Sequence, residues 1–261
     1  MIVSVINHSN GILQDEEVQR IVRAVNRQIN EDFEPYWSMG ATLRLEGRGG
    51  EKPDPRNAQV EMRGDAIIYL WDRSDVDEAV GYHDANYSGI PFGFVFLDIV
   101  AQLGEPWSIT FSHEALELVA DPEANLLVSG PHPAHPKREV FHWYEMCDAV
   151  QAESYDVDGV SVSNFILPLY FTSDAETTAR NDFLNRVHAG KTLPSFGVNP
   201  GGYIGFYDPT VRKHVTYAPE DDPRAQARLR IRMAARQARR AVRRSGGIPP
   251  QADSGRRRKR R

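Results

Sequence analysis

Trp107-Ser108-Ile109-Thr110-Phe111-Ser112-His113-Glu114-Ala115-Leu116-Glu117-Leu118-Val119-Ala120-Asp121-Pro122 is the stretch on which the reading of this chain turns. Ile109, Leu116, Val119 and Ala120 fit one buried side of a helix, and Pro122 stops it, having no amide hydrogen to give. His113 and Glu117 stand four residues apart within that helix. This spacing puts both side chains on one face, where they reach a single ion, and leaves Glu114 pointing beside it.

The pattern His-Glu-x-x-Glu differs by one residue from His-Glu-x-x-His, in which both histidines hold zinc and the glutamate takes a proton from the water on it. A carboxylate oxygen is also a zinc donor. His113 and Glu117 are therefore read as ligands of one zinc per chain and Glu114 as the general base. A catalytic zinc keeps three protein ligands and an open position, so a third ligand must come from elsewhere. Glu145, in Trp143-Tyr144-Glu145-Met146-Cys147-Asp148, is preferred: a donor from a second helical or irregular segment completes a tetrahedron more easily than three donors along one helix. Asp121, at the helix end, is the alternative ligand, and Asp148 or Asp121 would orient His113 from behind. The expected reaction is attack of activated water on a peptide carbonyl, with Glu114 later protonating the leaving amine. His83, Tyr144 and His142 are candidates for stabilising the oxyanion. Cys147 has no clear base partner and reads as a small buried hydrophobe.

Working outward, residues 2 to 7 alternate β-branched side chains into a first strand, and Asp15-Glu16-Glu17 opens an amphipathic helix with Val18, Ile21, Val22 and Val25 on its inner side. Ala41 to Leu45, Asp65 to Trp71 and Gly93 to Val100 read as further strands, the first two separated by a polar Gly/Pro-rich connection at 47 to 58. Residues 130 to 137 read as a Pro- and His-rich loop, and Gly197 to Asp208 as a set of turns. The expected class is α+β, a mixed sheet with an active-site helix.

The chain has 261 residues and one cysteine, which excludes an intramolecular disulfide and a four-cysteine zinc site. Its net charge of −5 hides a division: residues 1 to 222 hold 16 Lys+Arg against 35 Asp+Glu, and residues 223 to 261 hold 15 against 1. That division predicts a catalytic domain over 1–222, a basic helix over 223–245 and a disordered basic tail over 246–261, the last two suited to weak binding of nucleic acid or another polyanion. No run of apolar residues reaches the roughly 20 needed for a membrane span, and the N-terminus shows no basic region followed by an apolar stretch, so a cytoplasmic protein is expected, with non-signal export left open.

The stretch from Trp107 to Pro122, together with Tyr144-Glu145-Met146-Cys147-Asp148 and Val162-Ser163-Asn164-Phe165-Ile166-Leu167-Pro168, resembles the zincin-like metallopeptidases of bacteria and phages. The likeness runs roughly over residues 60 to 172, and Glu117 departs from the commoner peptidase pattern. It implies a zincin-like fold in which a strand borders the cleft and the His-Glu helix forms its floor. The competing expectation is an inactive binding or structural protein of the same fold, whose basic tail recruits a polyanion.

Overall fold

The computed structural model describes residues 1–46, 64–73, 81–86, 89–173 and 179–219. It is a mixed α+β structure built on a five-stranded sheet of order β2-β1-β3-β5-β4. β1 (Ile2–His8) pairs in parallel with β2 (Thr42–Glu46) and β3 (Ala66–Trp71), and β3 pairs in parallel with β5 (Pro91–Phe96). β4 (Gly81–Ala85) closes the edge, antiparallel to β5. The run Ala-Ile-Ile-Tyr-Leu-Trp of β3 is apolar at every position because its middle is covered on both faces.

Alternation along these strands sorts two cores. Val3, Val5, Ala66, Ile68, Leu70 and Val95 meet the helices, while Ile67, Tyr69, Tyr82, Phe92, Phe94 and Phe96 form an aromatic layer on the other face. Tyr82 thus points to the aromatic layer, and its neighbours Gly81 and His83 face the helix side. α1 (Asp15–Arg27) covers the first face with Val18, Ile21, Val22 and Val25, as its periodicity predicts. A π-helical turn over Gln28–Phe33 and the short α2 (Glu34–Trp37) extend it. After β5 the chain enters α3 (Leu97–Leu103) and then α4 (Trp107–Ala120).

α4 begins and ends as the sequence predicts, but it is not one-sided. Every residue except Ile109 is buried, because β4 and β5 pack on one side and the hairpin of β8 (Ser154–Val157) and β9 (Val160–Ser163) on the other. A helix buried all round must find partners for its polar side chains. Ser108 Oγ donates to the Ser161 carbonyl at 2.6 Å, and Ser112 Oγ accepts from the Ser163 amide at 2.7 Å, which clamps the hairpin to the helix. Trp107 Nε1 donates to Glu17 Oε1 at 3.0 Å and ties the first turn to α1.

Three expectations need correction. The loop expected over 130–137 is the turn of a hairpin, β6 (Leu127–His132) with β7 (His135–Trp143), so Glu145 follows a strand and lies in irregular chain, the second of the two forms expected for its segment. The strand expected over Gly93 to Val100 ends at Phe96 and gives way to α3. The turns expected over Gly197 to Asp208 end in β10 (Ile204–Asp208), which pairs with β7 and with β11 (Lys213–Tyr217) in a four-stranded antiparallel sheet. Among the described residues no helix is long and apolar enough to cross a membrane. The basic helix and tail expected over 223–261 lie outside the described residues.

Candidate metal centre

Residues from α4, from the edge strand and from the turn after β7 meet in one buried cluster. His113, Glu114 and Glu117 come from α4, His83 from β4, and Cys147 and Asp148 from the turn; none is more than 3 % exposed. His113 Nε2 stands between two carboxylates, 3.2 Å from Glu117 Oε1 and 3.4 Å from Asp148 Oδ1. Across the helix, His83 Nδ1 is 3.7 Å from Glu114 Oε2 and 3.9 Å from Glu117 Oε2. Two triplets offer donor atoms that lie within 4.8 Å of one another: His113 with Glu117 and Cys147, and His83 with Glu114 and Glu117.

Each member is held by the fold around it. The Cys147 amide donates to Glu117 Oε1 at 3.2 Å and fixes that carboxylate. The carbonyl of Asp148 accepts from the Tyr203 amide at 3.1 Å and that of Ala149 from the Asn199 amide at 3.0 Å, so the loop before β10 buttresses the turn that carries Asp148. Gly81 supplies space: a Cβ there would lie 2.8 Å from Glu114 Oε1 and 2.8 Å from the Phe94 carbonyl.

The electrostatics of the cluster are unbalanced. Three carboxylates, those of Glu114, Glu117 and Asp148, face two imidazoles, so full ionisation leaves net negative charge in a place with little water to screen it. Burial accordingly pushes the Glu117 carboxyl up to about 7, opposed by His113 and reinforced by Glu145 and Asp148. The Cys147 thiol is pushed well above its ordinary value by burial and then by Glu117, and its Sγ lies 3.9 Å from the His113 carbonyl. It is an un-ionised thiol in the core, as its sequence context suggests.

The other residues singled out from sequence are placed as follows. Glu145 acts on Glu117 and on Asp121 through its charge but, like Asp148, belongs to neither triplet. Asp121 ends α4, and its carboxylate accepts from the Leu126 amide at 2.8 Å, work that shapes the following turn; burial raises its carboxyl. Tyr144 is half-buried, its ring stacked on Phe171 at 4.9 Å and edge-on to Trp37 at 5.6 Å. His142 belongs to the second sheet: Nε2 donates to the Pro131 carbonyl at 2.9 Å, the ring lies against Phe196 and Phe206, and burial lowers its basicity. Gly81 and the paired serines of α4 carry no sequence signal for their roles, since their value lies in contacts made across the fold.

No family model, curated protein or solved structure matches this chain. The chemistry of the cluster rests on its own geometry.

Proposed function

We propose that the chain is a zincin-like, metal-dependent hydrolase acting on peptide bonds, with a divalent cation held by His113 and Glu117 and with Asp148 as third donor. The observation that carries this reading is His113 Nε2 set between two carboxylate oxygens at 3.2 and 3.4 Å, with Glu114 one residue along the same helix. Separations of that size suit two donors sharing an ion at roughly 2.0–2.2 Å from each. One imidazole and two carboxylates form a donor set for zinc or a similar borderline cation. Asp148 has an alternative in Cys147, which forms a triplet with His113 and Glu117 and whose thiol would give up its proton to a bound cation. Asp148 is preferred over Glu145 because its Oδ1 is the carboxylate oxygen beside His113.

A divalent cation in this set would polarise a carbonyl and make a nearby water acidic. Glu114 accepts the water's proton and returns it to the departing amine. His113 and Glu117 are fixed by the rigid helix, and Asp148 by the turn that the Asn199 to Tyr203 loop supports.

Metal analysis of the purified chain tests this directly, with about one tightly held zinc expected. His113→Ala should lose it. Glu114→Gln should keep it and lose cleavage of a labelled unfolded protein by about 100-fold or more; full activity in that variant would overturn the mechanism.

A second reading has its own support. All six groups are at most 3 % exposed, and closed metal sites are structural ones. On this reading the cation only holds α4, β4 and the turn together, and chelation lowers the melting temperature of a protein that cleaves no substrate.

A further inference from the structure

We propose that α4 and the edge strand form a second, weaker cation site from His83 Nδ1, Glu114 and Glu117, and that filling it stops hydrolysis by taking the carboxylate of Glu114. This rests on the reading in which the first cation is held by His113 and Glu117.

The tautomer of His83 is the starting point. Its Nε2 lies 3.1 Å from the Asp121 carbonyl oxygen, which can only accept, so Nε2 carries the hydrogen. Its other ring nitrogen, Nδ1, lies 3.7 Å from Glu114 Oε2 and 3.9 Å from Glu117 Oε2. The three buried side chains offer donor atoms that all lie within 4.8 Å of one another. The ring cannot easily turn away, because it is fully buried and strand alternation commits Tyr82 to the opposite face.

Glu117 links the two sites. Its Oε1 is turned toward His113 and the Cys147 amide, while its Oε2 is turned toward His83. One carboxylate therefore presents an oxygen to each donor set, the geometry of a bridging ligand. Gly81 contributes by leaving open the space that Glu114 occupies.

The ligand class follows from the donors. An imidazole nitrogen with two carboxylates suits Zn²⁺ or Co²⁺, whereas Ca²⁺ and Mg²⁺ favour shells of six or more oxygens. The site is weaker than the first because Glu117 is already committed and the added charge lies close to the first ion. Once Glu114 binds a cation it is no longer available to accept a proton, and turnover falls.

The test is equilibrium dialysis of the metal-free full chain against Zn²⁺, repeated with His83→Gln. Two equivalents are expected for the wild type, the second at least tenfold weaker, and one for His83→Gln. One equivalent in both proteins overturns the second site and leaves the hydrolase reading standing. No bound equivalent overturns both, and two in both proteins shows that His83 is not a ligand. A measurement on the wild type alone guards against misfolding of the variant: a second equivalent of Co²⁺ should alter the paramagnetic resonance signal of the first through the shared Glu117. Simply additive signals sink the bridging arrangement. Peptide cleavage should fall at least tenfold over the same Zn²⁺ range that fills the second site, and unchanged cleavage there overturns the inhibitory role.

Discussion

His83 and Asp121 join the edge strand to the end of the site helix: the imidazole Nε2 of one lies 3.1 Å from the backbone carbonyl of the other. Both groups are buried, so water cannot replace either partner. His83→Leu, which fills much of the space and donates nothing, leaves the carbonyl with the Ala124 amide, 2.9 Å away, as its remaining donor. We expect urea unfolding of the metal-free variant to show a loss of about 0.5–1.5 kcal/mol relative to wild type. An unchanged unfolding midpoint would mean that the bond contributes nothing to holding β4 on α4.

Glu117 gives the metal-free protein an unusual pH dependence. Its carboxyl is raised from 4.5 to about 7, so the folded state holds this proton more tightly than the unfolded chain does. The resulting stability is fully present below about 4.5 and is lost as pH rises through about 7. The size is roughly 3 kcal/mol. Glu117→Gln carries a permanent neutral group there, so its stability minus that of wild type should grow across this window. Guanidine titrations at several pH values in the presence of a chelator measure it, and a flat difference would count against burial as the cause.

Gly81→Ala tests the space beside Glu114. The added methyl would meet both a carboxylate oxygen and the Phe94 carbonyl at 2.8 Å, and the backbone oxygen cannot move without breaking the β4–β5 pairing. Overpacking of this kind costs about 1–3 kcal/mol. The expected signature is a lowered melting temperature together with reduced cleavage, while zinc bound at His113 is retained. Wild-type stability in this variant would show that the strand has slack.

Ser112→Ala tests how the hairpin is fastened. Ser112 Oγ accepts from the Ser163 amide at 2.7 Å and donates to the Ile109 carbonyl at 3.0 Å, one turn back. Removing it orphans a buried amide hydrogen, for a loss of about 1–3 kcal/mol. Hydrogen exchange at Ser163 should accelerate well beyond any change in α1, and equal acceleration everywhere would point to global loosening instead.

These predictions use residues of very unequal visibility in the sequence. α1 and α4 were legible because local spacing decides them: Val18, Ile21, Val22 and Val25 repeat at helical intervals, and Pro122 marks a stop. His113 and Glu117 share a face for the same local reason, with Glu114 beside them. His83 was harder, because β4 is only five residues long and its facing is settled by pairing with β5 and by Tyr82 joining the aromatic layer. The prominence of Asp148 over Glu145 beside His113 was beyond reach: the choice depends on a short turn held from behind by Asn199 and Tyr203, some 50 residues later. Likewise β6 and β7 hide in a Pro- and His-rich stretch, since they pair with each other and β7 pairs with the distant β10, neither of which local composition suggests.

Proton and cation compete for Glu117, and that competition yields the last prediction. A cation binds the ionised carboxylate, whereas below about 7 the metal-free cluster keeps this group protonated. Zinc affinity should therefore weaken by up to about tenfold per pH unit as pH falls below this point, and one proton should be released per ion bound. At neutral pH, zinc at 100 times its dissociation constant should add about 2.7 kcal/mol to the stability of the folded chain. Thermal melts with and without chelator at pH 6 and pH 8 measure both effects. Wild type should gain more at the higher pH and His113→Ala should gain little at either. An equal gain in that variant would place the ion elsewhere in the molecule.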